Sequence, residues 1–308
     1  MDIMTKKNKR KFIEAIIILI IAFFTIYYED FTEKTIEDEV IQNRNTEEVI
    51  KISDGDKLNV YYLDVGQADS ILIENNNKYM LIDAGNNEDG EKLVTYFKRL
   101  GITKFDIVVG THAHEDHIGG MDDIINNFEI EDFYMPEVIT TTKTFEDVLD
   151  ALEVKQVAFQ TPIIDSELVF ENSKIKVLSV SDEDSDLNDT SIVLRLKYGT
   201  TSFLFTGDAT EKIENTILNK EIKSDVLKVA HHGSSTSNSL SFLKRVSPTY
   251  AVISVGEGNS YNHPHDVILN RLYDLNARVY RTDRDGTVVA SSNGTLIDFS
   301  MIDTNTDG

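Results

Sequence analysis

No cysteine and no tryptophan occur in the 308 residues. The lack of cysteine excludes a thiolate metal site, a cysteine nucleophile and a disulfide framework. It is also compatible with export. Basic residues are scarce: 30 Lys and Arg stand against 53 Asp and Glu, a formal charge of −23. Such a surface repels polyanions at long range, less so as salt rises. That counts against non-specific nucleic-acid binding through a broad basic face. A local positive site made by bound metal ions stays open. Histidine is sparse too, but its seven copies are grouped. His112, His114 and His117 lie in "THAHEDHIGG", His231 and His232 in "VAHHGSS", and His263 and His265 in "YNHPHD". Imidazole is the commonest side-chain metal ligand and a near-neutral acid and base. The grouping points to one site assembled from several loops.

The few basic residues crowd the N-terminus. Residues 1–11 hold five of the 30 and only one of the 53 acidic residues. An apolar run of 17 residues follows, Phe12 to Tyr28, with the single charge Glu14. As a helix it is about 26 Å long, just enough to cross a hydrocarbon core. The basic flank belongs in the cytoplasm, and Tyr27 and Tyr28 suit the outer interface. The run is either an uncleaved anchor or a cleaved signal peptide. The absence of a small-x-small site in "YYEDFTEKT" favours the anchor. The expectation is a single-pass cell-membrane protein with the rest of the chain extracellular; cleavage and secretion is the alternative. Residues 29–57 read as an acidic stalk, 58–300 as the folded domain and 301–308 as a polar tail.

Within 58–300 the pattern is α/β. "VYYLDV", "SILIE" and "KYMLIDA" read as strands, and "DGEKLVTYFKRL" as a helix closed by Gly101. "FDIVVGT" is a strand that runs directly into the first histidine window, and "GGMDDIINNF" begins a helix. Residues 130–180 mix short strands with a helix near 144–154. "SDEDSDLND" is an acidic loop, and "TSIVLRLKY" and "SFLFTG" make a hairpin. Helices from Ala209, near 239–245 and from about 266 alternate with "DVLKVA" and "TYAVISV". "RVYRT", "GTVVA" and "TLIDF" are the last strands. Each histidine window follows a strand, and sheets sandwiched between helices would bury these apolar segments.

His112 and His114, two apart, point the same way on an extended segment. Asp116 and His117 come after the turn and face a neighbouring position. One segment can thus serve two ions, with two histidines for one and an Asp–His pair for the other. Imidazole and carboxylate suit zinc, and also manganese or iron. Asp208, ending the strand in "FTGDA", is the natural carboxylate to bridge two ions that activate a shared hydroxide. Ser234 and Ser235 in "HHGSSTSNS" can donate to phosphate oxygens. His263 can polarise a leaving group or meet phosphate, whereas His265 reads as a surface residue at a helix start.

"LIDAG", "THAHEDHIGG", "FTGDA" and "VAHHGS", in this order, resemble the metallo-β-lactamase superfamily. "LDVGQADS", "NDTSIVLRLKYGTTSFLFTGD", "LKVAHHGSSTSNS" and "YNHPH" resemble more narrowly the hydrolase domain of ComEC-type competence proteins, over about residues 58–300. The resemblance implies an αββα sandwich with a two-metal hydrolytic site at one edge of the sheets. It assigns His112, His114, Asp116 and His117 as ligands, Asp208 as the bridge and His232, in preference to His231, as the late ligand. His231 then meets substrate or supports the ligands from behind. Asp83 in "LIDAG" supports the site without touching metal. The usual histidine between the first motif and the bridging acid is missing, as in ComEC-type chains, and Asn188 or Asp189 of "NDTS" takes its place through oxygen. An oxygen ligand tilts the choice from zinc toward manganese. Asp116, His231 and His263 are the candidate catalytic groups. No series of apolar spans like the ComEC channel occurs in this sequence, so DNA uptake itself is not expected of it.

The function expected is an exported, metal-dependent hydrolase of phosphodiesters, acting on single-stranded DNA or a smaller molecule. Its cofactors are two divalent ions, zinc or manganese. A lactam or lactone hydrolase and a non-catalytic surface-binding module are the alternatives. A degenerate module would have lost ligands, and this chain keeps them. No stable protein partner is expected.

Overall fold

Alternating strand residues, apolar on both faces, require cover on both sides, and the computed structural model provides it. It describes residues 56–181 and 186–302. The apolar run 12–28, and the stalk up to residue 55, lie outside the described residues. Among the described residues no helix is long and apolar enough to cross a membrane.

The first sheet starts with β1 (Leu58–Tyr62), β2 (Ser70–Asn75), β3 (Lys78–Ala84), β4 (Lys104–Val109), β5 (Glu129–Tyr134) and β6 (Phe159–Gln160). The second comprises β7 (Glu167–Phe170), β8 (Ser173–Ser179), β9 (Val193–Tyr198), β10 (Thr201–Phe205), β11 (Val226–Lys228), β12 (Tyr250–Ile253) and β13 (Arg278–Arg281). The chain then returns: β14 (Thr287–Ser292) pairs antiparallel with β1, and β15 (Ile297–Ile302) closes that edge. β15 runs through Met301 and Ile302, two residues beyond the domain end read from the sequence. The strand orders are β15-β14-β1-β2-β3-β4-β5-β6 and β13-β12-β11-β10-β9-β8-β7. β3 to β6 run parallel, as do β10 to β13.

The period of two sorts the strand residues into layers. Ile71, Ile73, Met80, Ile82, Ile107 and Val109 face inward, against Leu194, Leu196, Phe203, Phe205 and Val252 of the second sheet. Their neighbours Leu72, Leu81 and Val108 face outward and meet Leu93, Phe97, Ile124 and Val148. Those four come from helices α1 (Gly90–Arg99), α3 (Met121–Asn127) and α4 (Lys143–Lys155); the short α2 (Glu115–Ile118) lies between the first two in sequence. Leu204, Leu227, Ala251 and Ile253 face the opposite way, onto Ile213, Phe242, Leu243 and Leu272. These belong to α5 (Glu211–Ile217), α6 (Leu240–Val246) and α7 (Asp266–Asp274). The result is the αββα sandwich. The short helix α8 (Thr282–Asp285) was not legible in the sequence.

Candidate metal centre

The ends of parallel strands deliver the site, as is usual for ligand positions in α/β sheets. Asp83 lies at the end of β3, the first histidine window follows β4, Asp208 follows β10, and His231 and His232 follow β11. Asp116, His117, Asp208 and His232 each offer a donor atom, all within 4.8 Å of one another. His117 Nε2 is 3.3 Å from Asp208 Oδ1, and His232 Nε2 is 3.2 Å from Asp116 Oδ2 and 3.8 Å from Asp208 Oδ2.

Each of these two imidazoles is oriented by an acceptor behind it. His117 Nδ1 donates to Asp83 Oδ2 at 2.8 Å. Asp83 also accepts from Thr111 N and Thr111 Oγ1, both at 2.7 Å. His232 Nδ1 donates to the Ser254 carbonyl at 2.9 Å. Both rings therefore keep a proton on Nδ1 and turn Nε2 inward, the nitrogen left for a metal once any proton on it is displaced. His117 Nε2 and Asp208 Oδ1 are buried and have no hydrogen-bond partner. Two facing, buried lone-pair donors are costly without a cation or proton between them. Oxygen and imidazole donors of this make-up fit a divalent ion such as zinc or manganese.

The charges agree with that fit. Burial by itself lowers the His117 imidazolium, but Asp208, Asp83 and Asp116 raise it well above its usual value. Burial likewise lowers His232, and Asp208, Asp116 and Asp69 outweigh it. Burial pushes the Asp208 carboxyl up, yet His117, His232 and His231 hold it well below the carboxylate range. Without metal the site is a lattice of carboxylates and imidazolium groups, and an incoming dication must displace protons from it.

His112 and His114 stand beside this group. The buried His112 ring lies 4.1 Å from the His117 ring, centroid to centroid, and its Nε2 is 3.0 Å from His114 Nδ1. Burial and the charge of His117 hold His112 well below its usual value, so it stays a neutral donor. Asn188 carries a buried Oδ1 with no hydrogen-bond partner. Asp189 is engaged elsewhere: the Thr210 hydroxyl donates to one oxygen, and Lys212 Nζ lies 3.4 Å from the other. The same turn supports Asp208, whose N–H donates to Ser191 Oγ at 3.1 Å.

The second histidine window is held in a strained backbone. His231 and His232 both take left-handed conformations, φ 52° and 51°. Gly233 follows at φ +84°, where a Cβ would come within 2.5 Å of Pro264 Cβ. Asn238 braces this turn: its Oδ1 accepts from Ala230 N at 3.1 Å, and its Nδ2 donates to Ala230 O at 2.9 Å. The buried Glu214 carboxylate accepts from the backbone N–H groups of Asn238 and Ser239. His231 lies outside the four-donor group, with Nε2 3.6 Å from Asp208 Oδ2 and Nδ1 beside Thr236 Oγ1.

Of the hydroxyls expected to meet phosphate, Ser234 is buried and tied to Thr236, whereas Ser235 is exposed. His263 stands at the rim, its ring 5.6 Å from His231 and 6.3 Å from His232. Burial, together with His232, His231 and His265, lowers it to about 4. His263 is therefore neutral at neutral pH in the free protein. His265 is not merely a surface residue: its Nδ1 accepts the Ser235 N–H at 2.9 Å and so fixes the serine loop. Sequence reasoning missed Asp69, Lys228, Thr111 and the Ser254 carbonyl. Lys228, a charge among the apolar residues that follow Asp225 in "DVLKVA", was the signal that a buried partner must exist.

A sandwich that presents imidazole and carboxylate donors at the strand ends is the architecture of a metal-dependent hydrolase. Residues 63–257 match the model of the metallo-beta-lactamase superfamily, and the chain belongs to that superfamily. It is 32% identical over 247 residues to ComE operon protein 3 of Bacillus subtilis, covering 73% of this chain and 32% of that one. It is 30% identical over 229 residues to competence protein ComA of Neisseria gonorrhoeae, covering 73% of this chain and 31% of that one. These relatives are ComEC-type competence proteins, and the chain spans about a third of their length. The metallo-beta-lactamase fold protein YhfI of Bacillus subtilis shares the fold: TM-score 0.55, 14% identity, 77% of this chain and 100% of that one.

Proposed function

We propose that the chain is a phosphodiesterase, acting on a DNA strand or a smaller phosphodiester and using two divalent ions, zinc or manganese. The observation that carries this reading is the facing pair of buried, unpartnered donors, His117 Nε2 and Asp208 Oδ1, inside the group completed by Asp116 and His232. His112, His114 and Asn188 would hold the second ion, with Asp208 contributing its carboxylate. Bound ions of this kind supply positive charge for a developing phosphorane and lower the pKa of water. The chain's own groups do the rest. Asp83 and the Ser254 carbonyl hold the ligand rings in one tautomer. His231, reaching toward Asp208 from the rim, meets a substrate oxygen. Neutral His263 gives or takes a hydrogen bond there without adding charge, and Ser235 offers a free hydroxyl. Competence-protein relatives favour a nucleic-acid strand, and the acidic surface favours short substrates over long duplex.

Incubation of the purified chain with manganese or zinc tests this reading. The substrates are single-stranded DNA, bis-p-nitrophenyl phosphate, a phosphocholine ester and a cephalosporin. Turnover of the phosphodiesters with the cephalosporin untouched is expected; the reverse pattern overturns it. We further propose that residues 12–28 anchor the protein with its hydrolase domain outside the cell. Protease added to intact cells should then release the domain. Protection until lysis would place it inside.

A further inference from the structure

Lys228 and Asp69 form an ion pair in the interior. Lys228 Nζ donates to Asp69 Oδ2 at 2.6 Å, and neither side chain is more than 2% exposed. The residues are 159 positions apart. Asp69 belongs to the connection between β1 and β2 in the first sheet, and Lys228 ends β11 in the second. Burying two charges brings little or no net stability compared with apolar side chains of similar volume, so the pair calls for another reason.

Its position supplies one. Asp69 N donates to the Asp116 carbonyl at 3.0 Å, and Gly85 N donates to the Asp69 carbonyl at 2.8 Å. The main chain of one residue thus holds both the ligand turn and the turn that carries Asp83. Asp69 Oδ1 is buried without a hydrogen-bond partner and lies 3.5 Å from His232 Nδ1. Asp69 Oδ2 is 4.0 Å from His117 Nδ1. Lys228 leads directly into the His231–His232 turn. Asp69, Asp83 and His117 together have the make-up of a cation site, and the Lys228 ammonium and the His117 N–H already satisfy it.

We propose that the Asp69–Lys228 pair is a clasp between the two sheets that sets the spacing of the two ligand loops. Its carboxylate faces the Nδ1–H edges of His117 and His232 and so helps turn both Nε2 atoms toward the metal. Both are positioning residues. The proposal rests on Asp116, His117, Asp208 and His232 being metal ligands, and it holds for any substrate.

Two double variants of the full chain separate positioning from plain stability. Asp69→Leu with Lys228→Met removes both charges, and Asp69→Lys with Lys228→Asp reverses them. The readouts are the thermal midpoint without metal and the affinity for zinc or manganese, measured by competition with a chromophoric chelator. Neither requires activity. The apolar pair should keep or raise the midpoint while affinity falls about 10- to 100-fold, the usual cost of losing an outer partner of a metal ligand. The reversed pair keeps an ion pair but puts an ammonium beside the imidazoles, so its affinity should fall at least as far. Wild-type affinity in either folded variant overturns the clasp. So does failure of both to fold, if Asp69→Asn loses stability yet binds metal like the wild type. A wild-type chain that binds no metal overturns the ligand reading, and the clasp with it.

Discussion

The two histidine loops reach the same site from opposite sheets and are held by different means. The loop after β4 uses ordinary backbone: His114 is extended and Glu115–Ile118 is a helical turn, with His117 oriented by the Asp83 side chain. Gly119 lets that turn sit on Asn86, where a Cβ would come within 2.2 Å of the backbone. The loop after β11 bends through three left-handed residues, and His232 is oriented by a main-chain carbonyl. In the first sheet the support is a side chain that one substitution deletes. In the second the acceptor cannot be deleted, but the strained turn around it can be loosened. The first loop should therefore fail by losing metal, and the second by losing stability.

The largest effect is expected where the loops meet. Asp208→Ala should cost on the order of 10²-fold or more in turnover, because a preorganised charge at the reacting centre is removed. The fold should persist. Steady-state kinetics beside circular dichroism checks both, and near-normal turnover with metal bound would mean that another group joins the ions.

On the first-sheet side, Asp83→Asn removes the charge that orients His117. Metal affinity should fall about 10- to 100-fold, with a smaller change in melting temperature. Chelator competition and a thermal scan of the same sample give the two numbers, and a scan that moves while affinity stays would erase the contrast between the loops.

On the second-sheet side the order reverses. Asn238→Ala leaves the buried Ala230 N–H and C=O without partners, a cost of about 1–3 kcal/mol each, and it places alanine at φ +59°. Denaturant unfolding should show the loss clearly. Metal affinity measured well below the transition should change less than in Asp83→Asn.

The smallest effect is a pH slope that both loops share. The charged forms of His117 and His232 are favoured in the metal-free site, so metal must displace their protons. Affinity should rise with pH until it passes the raised values, and proton release should appear as a buffer-dependent binding enthalpy in calorimetry. A flat profile would show that the imidazoles are already neutral before metal arrives.

Much of this was legible in the sequence. Short apolar runs such as "SILIE" and "KYMLIDA" were readable as strands, because their length and residue types need no distant partner to be read. The histidine windows marked the site, since each follows a strand. The return of β14 to β1 was not legible: nothing in "GTVVA" says which sheet it joins. Ser234, read as an open hydroxyl, folds back onto Thr236, and His265, read as a surface residue, accepts the Ser235 N–H across 30 positions. Local spacing carries no information about such contacts.

The sequence by itself determined the donor inventory: which imidazoles and carboxylates exist, which of them share a loop, and that no thiolate can take part. Only the tertiary structure decided which nitrogen of each ring faces the site, which donors lie within 4.8 Å of one another, and that Asp69 and Lys228 meet. The reason is physical. A ring's tautomer and aim are set by the acceptor behind it. Those acceptors, Asp83 for His117 and the Ser254 carbonyl for His232, arrive on other strands, and one of them is backbone, which no residue type announces.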